Sequence, residues 1–251
     1  FYRTNAIHMS APSPQRTPVL FQAGTSARGL RFAGQHAEGI FIGARTPEAA
    51  RDASRKLRQA AVDAGRRPED IKIYVGVAVV PGRTEAEARA KYAEYLAHAS
   101  PEGGLAHFAA STGVDFAKYG LDEPIAFGNT NAIQSAAQAA QQQGLTTRRK
   151  LLEQFSLGSR YTTMVGDASQ VADELERWID VGEIDGFNLT RIVVPETWED
   201  FANLVVPELQ NRGRYRTQYT EGSFREKLFG QGDHLPDRHP AARTRRSRSV
   251  P

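Results

Sequence analysis

TPVLFQAGTSARG (residues 17–29) passes from consecutive apolar residues, through a cluster of small and polar ones, into a helical pattern. Val19, Leu20 and Phe21 stand side by side without alternation, as expected of a strand covered on both faces in a parallel sheet. The helix that follows, residues 26–37, carries Leu30, Ala33 and Ala37 on one face. A plain turn between the two needs one glycine. Here Gln22, Ala23, Gly24, Thr25 and Ser26 fill the junction, a choice that lets something come close to the backbone. Glycine removes the Cβ that blocks approach. The free N–H groups at a helix N-terminus, with the helix dipole, favour an anion. From the residues alone two roles stay open for Ser26: it caps the helix, or it helps to hold an anion.

Outward from this junction the pattern repeats. EGIFIG (38–43) reads as a second buried strand. Thr46, Pro47 and Glu48 supply an N-cap, a proline at the first helical position and an acid in the first turn. The helix they open runs to Gly65. IKIYVGVAVVPG (71–82) is a third strand, and Thr84 with Glu87 forms a capping box for the next helix. Asp167 with Gln170 caps a helix carrying Val171, Leu175, Trp178 and Ile179. DGFNLTRIVV (185–194) is a fourth strand. Thr197 then caps a helix that Pro207 should kink. This alternation argues an α/β fold with a parallel sheet. Residues 100–165 break the rhythm and read as a partly mobile insertion, of the kind that forms lids and binding loops.

Composition narrows the classes. The chain has 251 residues, 40% of them hydrophobic, enough for one large domain or two small ones. No apolar run reaches the roughly 18 residues of a membrane span. The chain begins with Phe1 and lacks a signal pattern, so it reads as processed or as a piece of something longer. Cysteine is absent, which excludes disulfides and thiolate ligands and suits a reducing, cytoplasmic location. Residues 231–251 hold five arginines against two aspartates and so carry the whole net charge of +3. Rich in Pro, Arg and Ser, this segment is expected to be a disordered, solvated tail rather than a nucleic-acid contact. The six histidines show no metal spacing, and no metal is expected. His36, late in its helix, suits the C-terminal dipole.

PVLFQAGTSARGLRFAGQHAEGIFI (18–42), VGDASQVADELERWIDVGEIDGFNL (165–189) and LVVPELQNRGRYRTQYTEGSFREKL (204–228) together resemble the second half of bacterial-luciferase-like flavin monooxygenases. The likeness is to the branch containing nitrilotriacetate and dibenzothiophene-sulfone monooxygenases, in the same order and at similar spacing. It covers residues 17–230. The resemblance implies the second half of a TIM (β/α)8 barrel: an irregular lead-in (1–16), the half-barrel (17–230, with the insertion at 100–165) and the basic tail (231–251). It implies reduced FMN delivered by a separate flavin reductase, molecular oxygen, a small organic substrate and a homo-oligomer, with no membrane and no nucleic acid. It assigns the flavin phosphate to Gly24, Thr25 and Ser26, and turns Arg160 and Tyr161, at the end of the insertion, toward substrate. Catalytic residues stay unassigned, because the family's first half supplies much of the pocket. The alternative is a truncated, non-catalytic remnant or a partial domain with an interaction role, since half a barrel leaves two sheet edges unpaired. The upstream coding sequence discriminates the two.

Overall fold

A computed structural model describes the chain apart from residues 1, 2, 7, 8, 25, 128–136, 138, 139, 142, 143, 158–160 and 245–251. Five parallel strands form one sheet: β1 (Phe21–Ala23), β2 (Gly39–Ile42), β3 (Lys72–Gly82), β4 (Thr162–Asp167) and β5 (Gly186–Thr190). β1 pairs with β2, β2 with β3, and β3 with both β4 and β5. β5 shares Tyr74 and Val75 with β2, and Val77 and Ala78 with β4. It therefore runs along one side of β3, while β2 and β4 follow each other along the opposite side. The handover is fastened where Thr162 Oγ1 donates to the Arg45 carbonyl at 3.3 Å. Four of these strands match the sequence reading; β4, at the end of the insertion, does not appear in it.

The helices are α1 (Ala27–His36), α2 (Pro47–Asp63), α3 (Glu85–Ala97), α4 (Pro101–Thr112), α5 (Arg148–Gln154), α6 (Ala168–Gly182), α7 (Glu196–Asp200), α8 (Val206–Asn211) and α9 (Phe224–Phe229). The anticipated caps form: Ser26, Thr46, Thr84 and Asp167 each accept from the N–H three residues on. Thr197 is a correction. It lies inside α7, and its buried hydroxyl accepts from the N–H groups of Ile192 and Val193, closing the loop after β5 instead of capping a helix. Pro207 does not simply kink a helix. A π-helical turn (Phe201–Val205) precedes it, and α8 restarts with the proline in its first turn, where a missing N–H costs little. No helix among the described residues is long and apolar enough to cross a membrane.

Period-two alternation sorts the strand residues onto two faces. Ile40, Ile42, Ile73, Val75, Val77 and Val79 join Ala33, Leu57, Leu175 and Trp178 in one buried core with α1, α2 and α6. α1 and α2 approach closely at Gly34, where a Cβ would collide with the Ala60 carbonyl. The other face carries Phe21, Phe41 and Tyr74. The sequence reading covers both faces of the strands, yet Phe21 is 40% and Phe41 36% exposed. The reason is that α1, α2 and α6 all stand on the Ile/Val face. Within the insertion, part of which lies outside the described residues, helices pack against one another. Leu105, Phe108, Phe116, Leu151 and Phe155 form a core of their own, with the Phe108 and Phe155 rings 4.4 Å apart, so α4 and α5 are packed against each other rather than loose.

The expected disordered tail is overturned for residues 231–244. Leu235 and His239 are buried. Arg238 Nε donates to Asp70 at 2.7 Å. His239 Nδ1 accepts from the Ala241 N–H at 3.1 Å, and Nε2 lies 3.0 Å from the His36 carbonyl. Just upstream, buried Arg225 of α9 grips buried Glu38 at 2.7 and 2.9 Å. Arg225 also donates to the carbonyls of Thr17, Pro18 and Asp233, while Glu38 accepts from the Leu20 N–H. A buried ion pair is tolerable only when its remaining hydrogen bonds are met, as they are here. Poverty in large apolar residues misleads because this segment is held by polar groups. Residues 245–251 lie outside the described residues.

Two predictions follow from this polar clasp. Although burial works against it, contacts to Arg238 and the Arg67 N–H hold the Asp70 carboxyl below the ordinary carboxylate range. Deleting residues 231–251 leaves that buried carboxylate without Arg238. In a chain of this size each kcal/mol shifts the melting temperature by roughly 2–4 °C, so a fall of several degrees is expected in thermal melts; an unchanged value would return the segment to a solvated tail. Burial, reinforced by the Arg66 charge, pushes the His239 imidazole below its ordinary value. The unfolded chain then takes up this proton near pH 6.5 while the folded chain does so only lower. The resulting stability is present above that pH and is lost as the pH falls through the window below it. Melting temperatures measured from neutral to mildly acidic pH should decline less in His239→Gln than in the parent.

Candidate phosphate corner and aromatic sheet face

The β1–α1 junction adopts the geometry that its composition suggests. Gly24 has φ +125°, a conformation that side chains disfavour. Gly29 matters equally, because a Cβ there would meet the Gly24 carbonyl at 2.9 Å. The two glycines together let the loop fold onto the start of α1. Ser26 Oγ accepts from the Gly29 N–H at 3.1 Å, and the Ser26 carbonyl accepts from Leu30 at 2.8 Å. The N–H groups of Ala27 and Arg28 precede the first i−4 carbonyl of the helix and have no intrahelical acceptor. A hydroxyl that accepts one hydrogen bond still has a proton to donate. Capping and anion binding are therefore compatible at Ser26, which is exposed. Gln22 donates to the carbonyls of Ala23 and Gly24, while its Oε1 is buried without a partner. An orphaned acceptor and a Cβ-free turn beside open N–H groups fit a polar ligand. Thr25 lies outside the described residues.

The second feature is the sheet face opposite the core. The rings of Phe21, Phe41 and Tyr74 lie 5.2–5.9 Å apart in a cross-strand cluster. Phe224 of α9 stacks on Phe21 at 6.2 Å. Burial, and behind it the Asp185 carboxylate, pushes the Tyr74 phenol up, so it stays neutral. Asp185 itself joins β5 to β3, accepting from Ile73 N–H, Lys72 and Arg58. The Tyr161 ring lies on this face against Gly76 of β3, where a Cβ would overlap it. Tyr161 is thus two strands from the Gly24–Ser26 corner and not part of it. Arg160 lies outside the described residues.

Sequence reasoning misses one polar network at the same end of the sheet. Lys91 Nζ contacts Asp200 at 2.7 Å, and Tyr95 Oη donates to Glu196 at 2.6 Å. Burial first, then Glu196, pushes the Tyr95 phenol well above its ordinary value. These contacts tie α3 to α7 across about a hundred residues of sequence, so no local spacing signals them. Beside them lies a cavity of about 640 Å³ lined by Tyr95, His98, His107 and Glu196. Its lining includes neither the Gly24–Ser26 corner nor the aromatic face. Among the described residues no group of three or more His, Asp or Glu is placed to hold a metal ion.

A family profile described as luciferase-like monooxygenase matches residues 1–183. The chain belongs to the luciferase-like monooxygenase family. It is 41% identical to a dimethyl-sulfide monooxygenase of Hyphomicrobium sulfonivorans, over 98% of this chain and 52% of that protein. It is 40% identical to a long-chain alkane monooxygenase of Geobacillus thermodenitrificans, with the same coverage of each. The branch named from the motifs matches as well, through dibenzothiophene-sulfone and nitrilotriacetate monooxygenases. Among solved structures, a riboflavin lyase containing modified FMN and riboflavin superposes with a TM-score of 0.88 at 34% identity, over 98% of this chain and 55% of that one. The chain spans about half the length of the curated luciferase-like relatives it matches.

The junction predicts its own weak point. Gly24→Ala forces a side chain into a disfavoured φ at a cost of about 1–3 kcal/mol. Amide exchange at Gly29 and Leu30 should accelerate while the α2 and α6 amides keep their protection. Uniform acceleration across all helices would show that the junction is not a separable unit.

Proposed function

We propose that this chain is the second half of a (β/α)8 barrel in a flavin-dependent monooxygenase. The enzyme takes reduced FMN from a separate flavin reductase and uses molecular oxygen to oxygenate a small organic substrate, as a cytoplasmic homo-oligomer. The observation that carries the reading is the start of α1: Gly24 at positive φ and Ser26 with a proton left to donate, next to the Ala27 and Arg28 N–H groups that precede the helix's own hydrogen bonds. Support for flavin comes from the similar riboflavin lyase structure, which contains modified FMN. The parallel sheet, with its helices on the Ile/Val face, supports half of a barrel, in which sites form at the C-terminal ends of strands.

Bound reduced FMN supplies the electrons that activate oxygen. The chain's own residues bind and shield. Ser26 Oγ–H and the N–H groups of Ala27 and Arg28 hold the phosphate, with Thr25 adjacent in sequence, and Gly24 lets it approach the backbone. Phe21, Phe41 and the neutral Tyr74 form an apolar, uncharged floor that keeps water from below. Tyr161 faces substrate from the wall above β3, with Arg160 next to it in sequence. A second reading, a partial domain with only a binding role, draws on the exposed aromatic face itself, since such surface invites a partner.

Ser26→Ala separates these readings. Losing a hydrogen bond to a charged group costs about 1.5–3 kcal/mol, on the order of 10- to 100-fold in affinity. Fluorescence titration should show this loss for FMN and little change for riboflavin, which lacks the phosphate. Equal loss for both ligands would assign Ser26 to capping alone.

A further inference from the structure

We infer that residues 231–244 are an acid-released strap: a second proton on His239 unfastens them from the strand entrances and loosens β1, whose far end carries the phosphate corner. The consequence for flavin rests on the reading above; the strap itself does not.

The hydrogen bonds of the His239 ring admit one protonation state. Nδ1 accepts from the Ala241 N–H at 3.1 Å, so its lone pair is in use. The ring proton therefore sits on Nε2, which donates to the His36 carbonyl at 3.0 Å. A second proton would enter at Nδ1 and face the Ala241 N–H, donor against donor. It would also charge a buried ring. The Arg66, Glu38 and His36 side chains act on that ring. Asp70, Arg225 and His234 line the same small cavity, and Asp237, Arg238 and Arg243 belong to the strap itself. Neither carboxylate of the cavity is free to receive an imidazolium: Glu38 is taken by Arg225 and Asp70 by Arg238. Arg66, with a buried Nε that has no partner, repels one.

The strap has little else to hold it. Among its described residues Leu235 is the only buried apolar side chain. Segments with few buried apolar contacts open locally, below the free energy of global unfolding. Opening takes the Asp233 carbonyl away from Arg225, which now donates to it at 2.7 Å. It also admits water to the Arg225–Glu38 pair, whose burial is tolerable only while its hydrogen bonds are met. That pair sets the start of β1. Glu38 accepts from the Leu20 N–H at 3.0 Å, and Arg225 donates to the Thr17 and Pro18 carbonyls. Its neighbour Phe224 stacks on Phe21. β1 is only Phe21–Ala23, and Gly24 follows at once. No length of strand separates the clasp from the phosphate corner.

The test is amide hydrogen exchange of the full chain at about pH 7.5 and about pH 5.5, either side of the ordinary imidazole value, with each amide normalised to its unfolded rate. The His239, Ala241 and Ala242 amides, all bonded within the strap, should lose protection on acidification, by up to roughly tenfold per pH unit, the most that one proton gives. The Glu38 and Gly39 amides, which donate to the Leu20 carbonyl, should follow, while the α2 and α6 amides keep their protection. His239→Gln, which offers a donor and an acceptor but takes up no proton, should abolish the pH dependence. Arg238→Gln should loosen the strap at both pH values and leave the pH dependence in place. Unchanged protection of the strap in the parent chain, or equal loss in α2 and α6, would overturn the strap whether or not the variants fold. Titration with FMN tests the consequence: affinity should fall more on acidification in the parent than in His239→Gln, a comparison that cancels the titration of the phosphate itself. Equal falls in both chains would overturn the link to β1. No FMN binding by the parent at neutral pH would overturn the flavin reading, and the exchange rates would still decide the strap.

Discussion

β3 is the constraint on which the rest of the structure depends. Its eleven residues pair with three other strands, all parallel to it. Parallel pairing brings the C-terminal ends of β1, β2 and β5 to one rim, so the start of α1, the end of β2 and Asn188 reach the same end of the sheet from distant parts of the chain. The alternation within β3 then decides what each face is. Ile73, Val75, Val77 and Val79 turn into the helices, while Lys72, Tyr74 and Gly76 turn to the open face. A one-residue slip against β2 would exchange the two sets. It would bury Lys72 among the helices and move Tyr74 out of line with Phe41.

The two ends of the sheet are built by opposite means. At the strands' N-terminal ends Arg225, Glu38, Asp70, Arg238 and His239 make a dense set of hydrogen bonds that fixes the starts of β1, β2 and β3. At the C-terminal ends the chain instead has a positive-φ glycine and an unpartnered Gln22 oxygen. The N-terminal end is densely hydrogen-bonded, whereas the C-terminal end leaves its polar groups and a strained glycine open. Such features are expected where a site is prepared for a ligand and the rest of the fold pays for it.

Much of this was legible in the sequence where the signal is local. The Ser26, Thr46, Thr84 and Asp167 caps and four strands depend on neighbours within a few residues, and they appear as read. What escaped depends on distant partners. Nothing near Arg225 announces that Glu38 receives it, and residues 231–244 look like a tail until His36 and Asp70 are brought alongside. β4 exists because β3 extends past β2 and offers it an edge. Thr197 looks like a cap, yet its hydroxyl is used by Ile192 and Val193. The apolar runs predicted cover on both faces, but Phe21 and Phe41 show that periodicity reports burial potential and not what covers it.

The most direct test of the account is the amide spectrum of the nitrogen-labelled chain during titration with FMN. The account predicts concentrated shifts at Ser26, Ala27 and Arg28 and at Phe41 and Tyr74, with little change around Tyr95, His98 and His107. Shifts confined to the cavity between α3 and α4, leaving the start of α1 untouched, would contradict it.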